Sequence, residues 1–162
     1  MSELHHAACN GDPDWVRTCL QAGFDPNDYD ESGYCPLHWV AFKGQVAWSP
    51  VETARLLLDA GADINARTRC EANNTALVLA CQAGAGPLVR LLVESGADIN
   101  VRCGDTTPLI AASISGCDYA AGLLLILGAD ATIKGPFRMT ALEWAESNGF
   151  DHVIEVFRSH VT

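Results

Sequence analysis

No apolar run in this chain approaches the roughly 18 residues that a membrane-spanning helix requires. The first twelve residues, MSELHHAACNGD, lack both the basic region and the apolar core of a secretory signal. A soluble, cytoplasmic protein is therefore expected. Closely spaced cysteines are missing too: Cys9, Cys19, Cys35, Cys70, Cys81, Cys103 and Cys117 are odd in number and never form C-x-x-C. That spacing excludes a disulfide scaffold and the common zinc sites, leaving free thiols that act as small, mostly buried hydrophobes. Positive charge is scarce, with 10 Lys and Arg against 20 Asp and Glu and a net charge of -10. Such a surface repels phosphate backbones and acidic lipid, so neither nucleic acid nor a membrane is an expected partner.

Reactive motifs are absent as well. There is no G-x-S-x-G, no phosphate-cradling glycine loop and no H-E-x-x-H. His5, His6 and Cys9 share one short predicted helix without a distant fourth ligand, whereas structural zinc takes four. Acidic pairs such as Asp28 and Asp30 fall on a predicted exposed loop, where nothing would raise a pKa for proton transfer. No enzyme activity, cofactor or metal is expected.

What the chain does have is a repeat. "GADIN" occurs at Gly61–Asn65 and Gly96–Asn100, with looser copies at Gly23–Asn27 and Gly128–Thr132. A Leu opens an Ala-rich stretch ending in Gly at Leu4, Leu37, Leu77, Leu109 and Leu142, spaced by 33, 40, 32 and 33 residues. Self-similarity at a fixed period outranks any local reading. Each unit reads as two short helices. The first carries a small residue (Ala7, Ala41, Ala80, Ala112 or Ala145) that admits a close neighbour, and a Gly stops it. Pro36 and Pro108 sit early in the first turn, where a missing N–H is harmless. The second helix carries apolar clusters such as "ARLLL" and "VRLLV". Approximate unit bounds are 1–29, 30–67, 68–101, 102–134 and 135–162, forming one domain that spans the 162 residues.

The stretches Asp30–Gly44 and Val51–Asn65 carry most clearly a pattern that resembles the ankyrin repeat, and the resemblance runs through all five units. It implies a mainly α solenoid of helix–turn–helix units with β-hairpin fingers along one edge. It also implies a non-catalytic module that binds another protein. With no further domain in view, the module is expected to act by occupying its partner, as an inhibitor, an immunity-type antidote or an adaptor. A cyclin-dependent-kinase-inhibitor-like regulator is the alternative of the same kind; an enzyme with a site in the groove is the alternative of another kind. The chain itself is expected to be monomeric. Departures from the family pattern are Cys35 for Thr, Ala76 and Ala141 for Pro, and Val78, Ile110 and Glu143 for His. Gly86 and Gly122 fall in or near second helices, where each would cost up to about 1 kcal/mol relative to Ala and soften units three and four.

In this family, partners lie along the fingers and the exposed side of the first helices. By register, that surface comprises Tyr34, Phe42, Lys43, Asn74, Gln82, Thr106, Ile114, Met139, Ser147 and Asn148; Trp39 joins the aromatic-rich second unit, the first finger is acidic (Asp28, Asp30, Glu31), and the later fingers carry Arg67, Arg69, Arg102, Lys134 and Arg138. His38, at the family's "PLH" position, is expected to support the adjoining finger by a hydrogen bond, and Asn27, Asn65 and Asn100 to bond backbone at the finger's base. The Gly-to-Gly distance between paired helices is 12 residues in units one, three and four, but 17 in unit two. The excess places an insertion at Gln45–Trp48, followed by a fresh helix start with Ser49 as N-cap, Pro50 as first residue and Glu52 as capping-box partner. Trp48 is expected to fold back over apolar surface, with the role of a binding anchor at a separate contact edge as the alternative.

Overall fold

The computed structural model describes residues 1–43 and 48–161, so Gly44 and most of the Gln45–Trp48 insertion lie outside the described residues. Among the described residues, ten α-helices follow one another as five pairs: α1 (Glu3–Asn10) with α2 (Pro13–Gln21), α3 (Pro36–Phe42) with α4 (Pro50–Asp59), α5 (Ala76–Gln82) with α6 (Gly86–Glu94), α7 (Pro108–Ile114) with α8 (Asp118–Ile126), and α9 (Ala141–Asn148) with α10 (Asp151–Val161). None is long and apolar enough to cross a membrane.

The helices stack in two layers. α1, α3, α5, α7 and α9 pack in that order to form an inner layer, and α2, α4, α6, α8 and α10 do the same to form an outer one. Sequence periodicity explains this arrangement. The leucines that open the first four inner helices, Leu4, Leu37, Leu77 and Leu109, are at most 2% exposed, and Ala7, Ala41, Ala80, Ala112 and Ala145 are wholly buried. A methyl group at each of those five places lets successive inner helices approach. Leu57, Leu88, Leu92 and Leu124 continue the same core into the outer layer. At the far end, α10 buries Val153, Ile154 and Phe157 and turns Asp151, His152, Glu155 and Arg158 to solvent, as a terminal layer must.

Local chemistry sets the helix ends. Pro36 and Pro108 are the first residues of α3 and α7, and Gly11 ends α1 with a left-handed φ of 67°. α4 begins at Pro50 after Ser49, but the expected capping box is absent. Ser49 Oγ instead donates to the Glu52 carboxylate at 3.5 Å, side chain to side chain. Gly86 is the first residue of α6 rather than an interior one, so the helix-propensity penalty does not apply there. A Cβ on it would lie 2.4 Å from the Tyr119 ring.

Four loops project between units at residues 22–35, 60–75, 95–107 and 127–140. Hairpin strands are not formed among the described residues; the ladder shrinks to isolated antiparallel bridges, Arg67 with Thr75 and Cys103 with Thr106. At the loop bases, side-chain amides tie the first four units together. Asn27 Oδ1 accepts the Asp63 N–H at 2.7 Å, Asn65 Oδ1 accepts that of Asp98 at 2.9 Å, and Asn100 Oδ1 accepts that of Asp130 at 2.8 Å. The asparagines do bond backbone, and the backbone belongs to the following repeat.

Candidate functional site

The finger edge is built from the inside outward. His38 is wholly buried, and its ring joins two elements. Nδ1 accepts the Cys35 N–H at 3.1 Å, which places the proton on Nε2, and Nε2 donates to the Ala66 carbonyl at 2.9 Å. Burial pushes its pKa below the usual imidazole value, against the raising pull of the Ala66 carbonyl, Asp30 and Asp63. His5 does the same work one unit earlier, reaching the Asp28 and Tyr34 carbonyls at 3.1 Å each. In α5 and α7 the corresponding Val78 and Ile110 offer no such donor, and Thr75 and Thr107 cap those helices instead.

The first finger is organised around Asp30. Its carboxylate accepts the Ser32 and Tyr34 N–H groups and the Trp39 indole N–H at 2.9, 3.1 and 2.8 Å. Burial works to raise the Asp30 pKa, but these three hydrogen bonds outweigh it and hold the group below the ordinary carboxylate value. Asp30 therefore frames the finger instead of standing free for a partner. Tyr34, Trp39 and Phe42 form one aromatic cluster, with ring centroids 5.3 to 6.3 Å apart. Lys43 Nζ lies 5.5 Å from the Phe42 ring.

The arginines also have work within the fold. Arg67 donates to the Arg102 carbonyl on the next finger at 3.0 Å, and Arg102 donates to the Lys134 carbonyl at 3.3 Å. Arg69 stacks its guanidinium 3.8 Å above the Tyr29 ring, and its backbone N–H donates to the Gly33 carbonyl at 2.8 Å. That approach depends on Gly33, whose φ is 78° and where a Cβ would meet Arg69 at 2.9 Å. Asn74 departs from the expectation of an exposed contact. It is only 8% exposed, and its backbone N–H and carbonyl are both bonded to Thr68.

Along the inner layer, register brings together what the sequence separates. Phe42, Gln82, Ile114 and Asn148 are the last residues of α3, α5, α7 and α9, and all four are exposed. Phe42 is 50% and Ile114 39% exposed. Between α5 and α7, Gln82, Thr106, Ala111, Ile114 and Ser115 line a recess of about 220 Å³. Arg138 and Met139 lie on the last finger, apart from this recess.

Trp48 does not fold back: its side chain is 85% exposed. The surface also holds residues that sequence reasoning missed. Phe137, on the last finger, is 86% exposed, with a φ of 55°, and its ring centroid lies 6.0 Å from that of Trp144. Its signal was the Gly-Pro-Phe turn, but a positive φ in a bulky residue is not readable from residue type. On the outer layer, Tyr119 and Ile126 are 47% and 74% exposed. The signal there was α8 itself, "DYAAGLLLI", which is apolar all round.

Among known proteins, 68 residues of this chain align at 41% identity with the potassium channel KOR1 of Oryza sativa subsp. japonica, covering 42% of this chain. The alignment spans only about 7% of that channel's length, so the likeness concerns a segment of it. The family model "Ankyrin repeats (3 copies)" matches residues 2–68 and 50–135. With two layers of paired helices, buried Ala and Leu positions recurring in each pair and Asn rungs between them, the chain belongs to the ankyrin-repeat family.

Proposed function

We propose that the protein is a non-catalytic binding module that regulates another protein, by masking or recruiting it, through the exposed face of its inner helices. Ankyrin repeats generally serve protein–protein interaction. The observation that carries the reading for this chain is the row that closes the inner helices. Phe42 and Ile114 are large apolar side chains left half-exposed, although the buried core beside them is filled with Leu, Ala and Val. Ile114 borders the recess between α5 and α7, and Phe42 rests on Tyr34 and Trp39, which hold its ring in place. The Phe42 ring and the small recess at Ile114 each suit a partner's apolar side chain, and a few such anchors dominate affinity. Arg69, Arg102 and Arg138 on the fingers add polar contacts at the rim.

The test is a paired affinity purification. The natural partner is captured on the immobilised protein, and its affinity is then compared with that for Phe42→Ala/Ile114→Ala. Loss of two anchors is expected to weaken binding at least thirtyfold, about 2 kcal/mol or more, while the melting temperature moves little. Unchanged affinity for the doubly substituted chain would move the binding surface elsewhere.

A further inference from the structure

A second surface lies on the edge opposite the fingers, where each inner helix turns into its outer partner. Trp48 stands there with its backbone held. Its N–H donates to the Asn10 carbonyl at 3.0 Å, and the Ser49 N–H donates to the Gly11 carbonyl at 3.0 Å. The chain ahead of α4 is thereby pinned onto the α1–α2 turn of the first unit. The side chain it presents is 85% exposed. Trp is rarely left so bare, and this one does nothing for the core of its own chain.

Its surroundings are acidic. Asp12 precedes α2, Asp14 lies in the first turn of α2, and Glu52 lies in the first turn of α4. Arg17 is the single basic residue of the first 31, and it is engaged by Asp14 at 2.6 Å and by Glu52 at 4.0 Å. Acids at helix starts have an ordinary explanation in the helix dipole. The exposed indole pinned beside them does not.

We propose that Trp48 is the anchor of a second docking edge, which takes an arginine-bearing basic segment of a partner protein. The chemistry is complementary on both counts. A guanidinium stacks flat on an indole face, and its remaining N–H groups reach carboxylates beside the ring. Asp12 directly follows Gly11, and Glu52 follows Ser49 in the first turn of α4, so a carboxylate stands next to each of the two backbone segments whose bonds hold Trp48. The edge uses none of the inner-helix residues, so it can be occupied together with the first surface.

Titration of the full chain with an acetylated hexa-arginine peptide, followed by calorimetry at about 0.15 M salt, tests this, with hexa-glutamate as the control. Trp48→Ala is expected to weaken hexa-arginine binding at least fivefold at an unchanged melting temperature, and Trp48→Phe to restore most of the loss. Phe42→Ala/Ile114→Ala should leave this binding unaltered, which separates the two surfaces. Equal binding by Trp48→Ala would reduce the attraction to diffuse net charge and overturn the proposal. So would the absence of hexa-arginine binding, or failure of Trp48→Phe to recover it.

Discussion

Replacing His38 with Ala is expected to lower the unfolding free energy by about 3–4 kcal/mol, the sum of a small cavity and two orphaned backbone groups. The imidazole is wholly buried, and its removal leaves the Cys35 N–H and the Ala66 carbonyl without the ring that bridges them. The pH profile should change as well. With its pKa depressed by burial, His38 stays neutral in the folded chain under conditions where the unfolded chain would take up a proton. Its contribution to stability is thus complete above the unfolded value of 6.5 and is lost as pH falls below it. Urea unfolding of both chains from pH 8 to pH 5 reads the two effects together. The variant should be less stable throughout and lose less on acidification; a loss under 1 kcal/mol at pH 8 would show that the finger does not depend on this ring.

Leu92→Ala should have a similar effect through a different term. Leu92 is wholly buried on α6, and α6 packs on α4 to one side and α8 to the other. Truncation removes three carbons from a close-packed site and is expected to cost about 3–4 kcal/mol, depending on how far the neighbours relax. In a repeat stack each unit touches only its neighbours, so the loss falls on two interfaces at the middle of the chain. Denaturant unfolding should show an earlier and broader transition as the two ends begin to uncouple. A transition that shifts without broadening would mean that the stack still unfolds as one unit.

The stack could be read from the sequence because its determinants are periodic. Leu4, Leu37, Leu77 and Leu109, with their alanines, mark the inner layer at intervals of 33, 40 and 32, the long one holding the insertion of unit two, and all are buried as the repeat requires. His38 was readable for the same reason, since its position in the repeat implies its role. Long side chains were not. Arg67 and Arg102 look like free surface charges in the sequence, but their reach is enough to bond carbonyls on the next finger. Asn74 was misjudged because exposure on a finger depends on which way the loop closes, and here it closes onto Thr68. Trp48 carried an unmet expectation of burial: spacing located the insertion, but the pairing of its backbone with Asn10 and Gly11 is a contact between units that no local pattern encodes.

The asparagine rungs make the molecule self-reporting. The amide protons of Asp63, Asp98 and Asp130 sit on exposed residues and would exchange with solvent deuterium almost freely in an isolated repeat. Each is instead held by the preceding unit, through Asn27, Asn65 and Asn100 respectively. The exchange rate of one such proton therefore measures the opening of one junction, independent of the other two. At the fourth unit Thr132 turns its hydroxyl onto Asp130 of its own loop at 2.6 Å, so the last junction carries no reporter of this kind.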